Sequence, residues 1–195
     1  HGTPIRSVAP ADVLDYRYRG LMHAAVVIAA WTVSLLLLLI WFPLTWQTAW
    51  AVPIGVAWIA LLYTGLFITA HDAMHGSLMP RDPLWNDRIG RLCVFIFALF
   101  SYAKLVEKHR AHHAQPATAA DPDFHDGRRT SFWSWYAHFL WEYVTWRQIG
   151  GMGIVFCTLW LAIGLRTENV ILFWAAPAIL STLQLFYFGT YLPHR

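Results

Sequence analysis

The sequence predicts an all-α membrane protein with four transmembrane helices and one further helical segment that is re-entrant or interfacial. Two observations predict this fold class. The 195 residues are 57% hydrophobic and only 13% charged, whereas typical soluble domains are about 45–50% apolar and about 25% charged. The chain also contains four long stretches without Asp, Glu, Lys or Arg, at residues 21–42, 49–70, 150–165 and 170–192.

The first stretch is 22 residues long, and a helix of that length, at about 1.5 Å per residue, crosses a hydrocarbon layer of roughly 30 Å. Arg17 and Arg19 precede it, as in a signal peptide. The stretch is too long for the apolar core of a signal peptide, and further spans follow it. Between the last two stretches, the polar residues 166–169 predict the turn of a tight helical hairpin.

The basic residues predict the orientation. If the N-terminus is cytoplasmic, thirteen of the fourteen Lys and Arg residues lie on the cytoplasmic side and only Arg166 lies outside. This distribution requires that the apolar run 89–106, which contains Ser101 and Lys104, does not cross the membrane. We predict a re-entrant or interfacial helix pair there, with a crossing as the alternative. Residues 114–129 predict a cytoplasmic loop.

Tryptophan is abundant, with twelve residues, many of them near predicted span ends. Those near span ends are Trp41, Trp46, Trp50, Trp133, Trp135, Trp141 and Trp146. This placement is typical of the aromatic belt at a membrane interface. The alternative is that some of these side chains line a pocket for a long apolar ligand.

Composition excludes several other classes of protein. A net charge of +3 is too small to indicate a nucleic-acid partner, and the basic residues avoid the apolar stretches. Cys93 and Cys157 both lie inside apolar runs, so the chain has neither a disulfide framework nor a cysteine-based metal site. At this length we expect residues 1–195 to form a single membrane domain. His1 in place of a methionine predicts a chain trimmed at its start.

Ten histidines are present, and five of them form two helical sets. His71 and His75 are spaced i,i+4 where the second span ends, and His109, His112 and His113 are spaced i, i+3 and i+4. On a helix, each set projects from one face, with side chains close enough for a metal to bridge. Both sets lie at the cytoplasmic ends of membrane segments, so the sequence predicts a His-rich metal cap there.

The number of histidines favours two metals. Neutral imidazole suits iron, zinc, copper and nickel alike. A catalytic zinc usually takes three protein ligands, and the helical zinc-protease motif needs a Glu where this chain has Asp72. A haem with two histidine ligands would need facing histidines within the spans, where only His23 lies. A site with two metals and nitrogen ligands at the membrane face is therefore preferred.

The His-x-x-x-His pair, followed about 30 residues later by His-x-x-His-His, resembles the membrane-bound di-iron oxygenase and desaturase superfamily. More narrowly, His-Asp-Ala-Met-His-Gly-Ser-Leu (71–78), His-Arg-Ala-His-His (109–113) and Asp-Pro-Asp-Phe-His (121–125) resemble the bacterial β-carotene ketolases. The segment 188–195, which ends in Thr-Tyr-Leu-Pro-His-Arg, is similar to the sequence after the last span of that family. The resemblance covers most of the chain.

This resemblance implies a di-iron enzyme that uses O2 as co-substrate and oxidises the C4 methylene of a β-ionone ring to a ketone. Two successive hydroxylations at one carbon, followed by loss of water, would convert β-carotene to echinenone and then to canthaxanthin. The implied partners are the carotenoid, the lipid bilayer and an electron donor, namely ferredoxin with its reductase. The implied location is the bacterial inner membrane.

The resemblance also implies roles for individual residues. It assigns His71, His75, His109, His112 and His113 to the iron ligands and to the catalytic centre. His125 and His194 are further candidates as ligands, and the alternative for His125 is a histidine in a polar turn. Asp72, Asp121 and Asp123 are candidates to accept the outer N–H of ligating imidazoles, which would set the orientation of those rings. The alternative for each carboxylate is a cap or a surface group.

The chain departs from the superfamily pattern in one respect. The superfamily has a third His box near its C-terminus, and this chain stops at Arg195 before any such box. We therefore expect a truncated version of a longer protein, in which the histidines present do not saturate two irons.

Two other functions are left open. Within the same chemistry, the alternative is a carotenoid ring hydroxylase or a lipid desaturase of the same superfamily. In a different class, a His-rich membrane metal transporter would use the same clusters as transport ligands, but such ligands are expected near the middle of the membrane.

Overall fold

In the computed structural model, the described backbone covers residues 10–125 and 130–194, and side chains are described from residue 19 onward. Predictions that fall on residues 1–9, on 126–129 of the polar loop, or on Arg195 lie outside the described residues. Within the described ranges the chain is helical and contains no strand. The helices are α1 (Pro10–Ile40), α2 (Val52–Met74), α3 (Pro83–Ala98), α4 (Tyr102–Ala114), α5 (Phe132–Tyr143), α6 (Trp146–Cys157), α7 (Thr167–Val170) and α8 (Ala176–Phe186).

Several helices continue through short segments of different winding. A 3₁₀ turn, Ala49–Ala51, leads into α2, and the π-helical segment Thr158–Ala162 extends α6. The π-helical segment Ile171–Ala175 joins α7 to α8, and a further one, Tyr187–Tyr191, extends α8. Together they form one continuous helix, Thr167–Tyr191, which we call the C-terminal helix.

Among the described residues, three helices are long and apolar enough to cross a membrane, namely Arg19–Ile40, Ala49–Met74 and Thr167–Tyr191, and the bent pair Pro83–Ala98 and Tyr102–Ala114 would be a fourth if it formed one span. The three helices contain most of the predicted stretches 21–42, 49–70 and 170–192. Large apolar side chains on their outer surfaces are exposed, such as Val33 at 56% and Ile54 at 61%, as lipid contact requires. Most of the predicted span 150–165 lies in α6 and its π extension, which end at Ala162 and together are at the short limit for a span. The count of four crossings therefore stays a prediction.

The run 89–106 forms a bent helix pair. The axes of α3 and α4 meet at 102° across a short break. Leu99 adopts a left-handed backbone with φ of 57°, and the N–H groups of Leu99 and Phe100 donate to the carbonyls of Phe95 and Val94. These bonds end α3 as glycine-capped helices usually end. The amide of Gln148 donates to the Ala98 carbonyl at 2.6 Å and so joins α6 to this corner.

Helix α2 is the central element and packs against α1, α3 and the C-terminal helix. Gly90 lets α3 approach closely, since a Cβ at this position would lie only 2.9 Å from the Cβ of Ala73. Buried Asn86 donates to the Ala73 carbonyl at 2.7 Å and accepts the Met79 N–H at 3.2 Å. These contacts fix the end of α2 against α3.

The predicted hairpin turn at 166–169 is wrong by about three residues. The chain turns at Gly164, with φ of +77°, and α7 begins at Thr167. Asn169 is buried and donates its side-chain amide to the carbonyls of Leu38 (3.1 Å) and Phe42 (3.0 Å) at the end of α1. Asn169, which the sequence predicted to be part of the turn, therefore satisfies carbonyl groups that the end of α1 would otherwise leave unpaired.

Candidate metal centre

The helix ends bring the predicted ligands to one face of the molecule. His71 lies in the last turn of α2, and His75 follows it as the C-cap. His109, His112 and His113 lie in α4, whose bend relative to α3 returns the chain to the end of α2. The imidazoles therefore lie at the C-terminal end of the apolar helix α2, next to its apolar side chains.

His71, His75 and His109 form the first group of candidate ligands. One nitrogen from each ring lies within 4.8 Å of one from each of the others, and Nε2 of His109 lies 2.9 Å from Nε2 of His75. Donor atoms that converge in this way form a candidate site for one metal ion.

His112, Asp121 and His194 form a second group, also with one donor atom each within 4.8 Å of the others. The rings of His112 and His194 have centroids 5.6 Å apart. His194 follows the C-terminal helix, so this group joins the last described residues of the chain to α4. The sequence-based prediction that His194 is a further ligand stays a prediction, and the structure places it beside His112.

His113 lies between the two groups. Its ring centroid is 4.5 Å from that of His109, 5.0 Å from that of His75 and 5.5 Å from that of His112. The five imidazoles of the two helical sets therefore form one continuous cluster.

Asp121 orients His112. The carboxylate is buried, and both of its oxygens lie 3.0 Å from Nδ1 of His112. It also accepts the backbone N–H of Ala117 at 2.8 Å and that of Asp123 at 2.9 Å. With Nδ1–H donated to Asp121, the lone pair of His112 is on Nε2 and faces away from the carboxylate, as in carboxylate–histidine–metal arrangements.

Asp123 is held by side chains that the sequence did not single out for the site. Its carboxylate accepts a hydrogen bond from the Tyr143 hydroxyl and lies 3.6 Å from Nδ1 of His112. Its backbone carbonyl accepts from Nε1 of Trp135 at 2.9 Å. Burial raises the pKa of the Asp123 carboxyl, and burial together with the charge of Asp123 raises the pKa of Tyr143. Tyr143 therefore stays protonated and remains a donor.

The aromatic-belt interpretation is wrong for Trp135, which is only 2% exposed and packs with Tyr136 and Phe186. The other six tryptophans near span ends are each at least 67% exposed. No signal in the local sequence distinguishes Trp135, because its burial depends on contact with the C-terminal helix. The local sequence does not mark Tyr143 as a site residue either. Its ring lies under the Lys108 ammonium at 5.0 Å, and Lys108 also forms an ion pair with Glu142 at 2.8 Å.

Besides His113 and Asp123, described above, two further predicted residues lie outside these groups. His125 stacks on Phe124 with a centroid distance of 4.1 Å and packs edge-on to Trp135, and neither described ligand group contains it. The nearest approach of Asp72 to His71 is 3.9 Å between Oδ1 and Nδ1, and both side chains are about half exposed. That distance is too long for a hydrogen bond.

A cavity of about 390 Å³ lies against the imidazole cluster, within the range of about 300–1,000 Å³ that is usual for ligand sites. The five imidazoles form one side of it. The apolar part of the lining includes Phe67, Phe97, Phe100, Phe139 and Leu185. Asp123, Tyr143, Thr182 and Thr190 are its other polar lining residues. An apolar molecule held here would lie against the imidazoles.

The donor set fits a pair of transition metals. It consists of imidazole nitrogens in two neighbouring groups and of the Asp121 carboxylate, which also contacts Nδ1 of His112. Such donors suit iron, zinc, copper and nickel, so the arrangement fits a di-iron centre without selecting iron by itself.

Comparison with known proteins shows which family the chain belongs to. Residues 48–150, a little over half of the chain, match the family model named fatty acid desaturase. The chain belongs to the fatty acid desaturase family. The matched region contains α2, α3 and α4 and therefore all five clustered imidazoles.

Several relatives carry more specific names. A β-carotene ketolase from Paracoccus sp. (strain PC1) is 43% identical over 141 residues, which cover 72% of this chain and 55% of that protein. A zeaxanthin 4-ketolase from Chlamydomonas reinhardtii is 40% identical over 186 residues, or 90% of this chain and 41% of that protein. The chain spans about half the length of the curated relatives it matches. No solved structure matches it.

Proposed function

We propose that this member of the desaturase family is a β-carotene 4-ketolase, which oxidises the C4 methylene of a β-ionone ring to a ketone. The observation that carries the proposal is the apolar cavity whose one side is a cluster of five imidazoles. An unactivated hydrocarbon ring offers no polar handle, so its enzyme must bind it by apolar contact and present it directly to the metal ligands. Relatives named β-carotene ketolase, 40–43% identical to this chain, support the substrate class.

In this proposal His71, His75, His109, His112 and His113 hold two irons, and His194 completes the second group. Bound iron would supply the activation of O2 and the abstraction of hydrogen from carbon. Two hydroxylations at C4 and loss of water would give the ketone, so that β-carotene yields echinenone and then canthaxanthin. His125 stays a further candidate ligand, although it stacks on Phe124 in this structure.

The protein residues have three tasks in this reaction. Asp121 orients His112 by accepting its Nδ1–H, and Asp123 supports the same ring at 3.6 Å. The phenylalanine walls exclude water, which strengthens electrostatic interactions at the reacting carbon. A bilayer-dissolved substrate reaches such a cavity without crossing water, because the cavity adjoins helices that are long and apolar enough to span the membrane.

We further propose that the protein lies in the bacterial inner membrane with the histidine cluster on the cytoplasmic side. The asymmetry of the basic residues supports this orientation. Electrons would then come from a soluble cytoplasmic donor, and we infer ferredoxin with its reductase.

The test is to express the protein in cells that make β-carotene and to analyse the carotenoids by absorbance and mass. We expect ketones from the wild type. His109→Ala should abolish them and lower bound iron, because His109 touches three other imidazoles. His23→Ala is the matched control, since His23 is exposed on α1 and lies outside both ligand groups.

Other products distinguish the alternatives. Ring alcohols without ketones would indicate a carotenoid hydroxylase, and unchanged carotenoids with altered acyl chains would indicate a lipid desaturase. Metal binding without O2 consumption would favour a metal transporter. Ketone formation by His109→Ala at the wild-type rate would contradict the ligand assignment.

A further inference from the structure

Gly189 is a cavity-lining glycine whose local backbone does not require glycine. It lies in the π-helical segment Tyr187–Tyr191 and is exposed. A Cβ built on it meets no heavy atom of the described residues within 4 Å. At Gly90, by contrast, an added Cβ would lie 2.5 Å from the ring of Tyr102. Glycine destabilises a helix relative to alanine, so Gly189 carries a cost that close packing does not explain.

Gly189 lies where the C-terminal helix passes beside α2 at the cavity. Gly189 and Ile68 both line the cavity, on the C-terminal helix and on α2, and Ile68 is 52% exposed. One helical turn before Ile68, these two helices are joined through Thr64, whose hydroxyl oxygen lies 2.9 Å from the Ser181 hydroxyl oxygen and 3.2 Å from Oε1 of Gln184. The two helices are therefore held together at Thr64, whereas one turn further along, at Ile68 and Gly189, their cavity-lining residues are exposed.

We propose that the absence of a side chain at Gly189 keeps open a lateral entrance, between α2 and the C-terminal helix, through which one ring of a lipid-dissolved carotenoid enters the cavity. The identity of the ring rests on the proposed function, whereas the entrance rests on the geometry around residue 189. A larger side chain at this position would extend into the opening, because no described protein atom is there to pack against it. The fold would tolerate the change for the same reason.

The experiment compares Gly189→Ala, Gly189→Val and Gly189→Leu in the intact chain, purified from membranes of cells that make β-carotene. Gly153→Leu is the matched control, because Gly153 is helical and exposed on α6, has no described atom within 4 Å of a built Cβ, and does not line the cavity. Three quantities are measured for each protein: β-carotene bound per polypeptide, iron bound per polypeptide, and ketone formed.

We expect bound β-carotene to fall with the size of the side chain at residue 189, by about tenfold or more for leucine, which is the order of effect that overfilling has on a packed protein core. Gly153→Leu should bind as much β-carotene as the wild type, and iron content should be the same in all proteins. If Gly189→Leu does not fold, the valine variant is compared in its place. The proposed entrance is refuted if a folded Gly189→Leu or Gly189→Val protein binds as much β-carotene as the wild type. It is also refuted if Gly153→Leu loses binding to the same extent.

Failure of the proposed function gives a different result. If the wild type binds β-carotene and forms no ketone, but binding still falls with the size of residue 189, the entrance stands and the ketolase assignment fails. If all variants form ketone at the wild-type rate, the assignment stands and the entrance fails.

Discussion

Asp121→Asn tests how far the metal centre depends on the carboxylate behind His112. The substitution keeps the shape of the side chain and replaces one oxygen by an NH₂ group. In the structure one Asp121 oxygen accepts from Ala117 N–H and the other from Asp123 N–H, while both lie 3.0 Å from Nδ1 of His112. Whichever oxygen is replaced, a backbone N–H then faces a donor, and His112 loses part of its acceptor.

The size of the effect follows from these contacts. Leaving one buried N–H unsatisfied costs about 1–3 kcal/mol. Losing a hydrogen-bond partner of a metal-ligating histidine typically weakens metal binding by about 10–100-fold, which corresponds to about 1.4–2.7 kcal/mol. We therefore expect Asp121→Asn to bind iron(II) about 10–100-fold more weakly than the wild type, with its helices intact.

The assay is competition for iron(II) between the detergent-solubilised protein and a chelator, with helix content measured by circular dichroism. Asp72→Asn is the matched control, because Asp72 is about half exposed and lies 3.9 Å from Nδ1 of His71. Its affinity should stay within about twofold of the wild type, since a surface interaction of this kind contributes little. Wild-type affinity in Asp121→Asn, or an equal loss in Asp72→Asn, would refute the orienting role of Asp121.

Two stability predictions follow from buried hydrogen bonds away from the ligands. Asn169→Ala removes the donor to the carbonyls of Leu38 and Phe42, and should lower the free energy of unfolding by about 1–3 kcal/mol. The free energy of unfolding is measured in a graded detergent series, with Glu168→Ala at the exposed neighbouring residue as the control. Equal stability of the two variants would contradict the role of Asn169 in capping α1. Tyr143→Phe removes the hydroxyl that donates to the Asp123 carboxylate, and should likewise lower stability by about 1.5–3 kcal/mol, as for hydrogen bonds to charged groups. Thermal unfolding in detergent, with Tyr187→Phe on an exposed ring as control, measures this loss; no difference between the two variants would show that the Asp123 contact contributes nothing.

Much of the fold could be predicted from local pattern. The three long apolar helices follow from uncharged stretches at 21–42, 49–70 and 170–192, because the length of a helix is set by local composition. The helix pair across 89–106 was also predicted, although its left-handed corner at Leu99 was not. Leucine rarely adopts a positive φ, and here the αL capping bond from the Leu99 N–H to the Phe95 carbonyl accompanies it.

The predicted hairpin turn failed for a physical reason that is visible only in the folded chain. Polar residues 166–169 read as a turn, yet Gly164 makes the turn. Asn169 is in a helix because its amide satisfies carbonyls of α1, more than 100 residues earlier in the chain. Such a partner cannot be inferred from the neighbours of Asn169 in the sequence.

The histidine sets, by contrast, are encoded in the sequence itself. Spacings of three and four residues on a helix place His71 with His75, and His109 with His112 and His113, whatever the rest of the chain does. Only the tertiary structure decided that the two sets meet, that Asp121 rather than Asp72 holds an imidazole, and that Tyr143 and Trp135 support Asp123. The reason is that helical periodicity is a local property, whereas these contacts depend on how the helix ends and the following loop pack together.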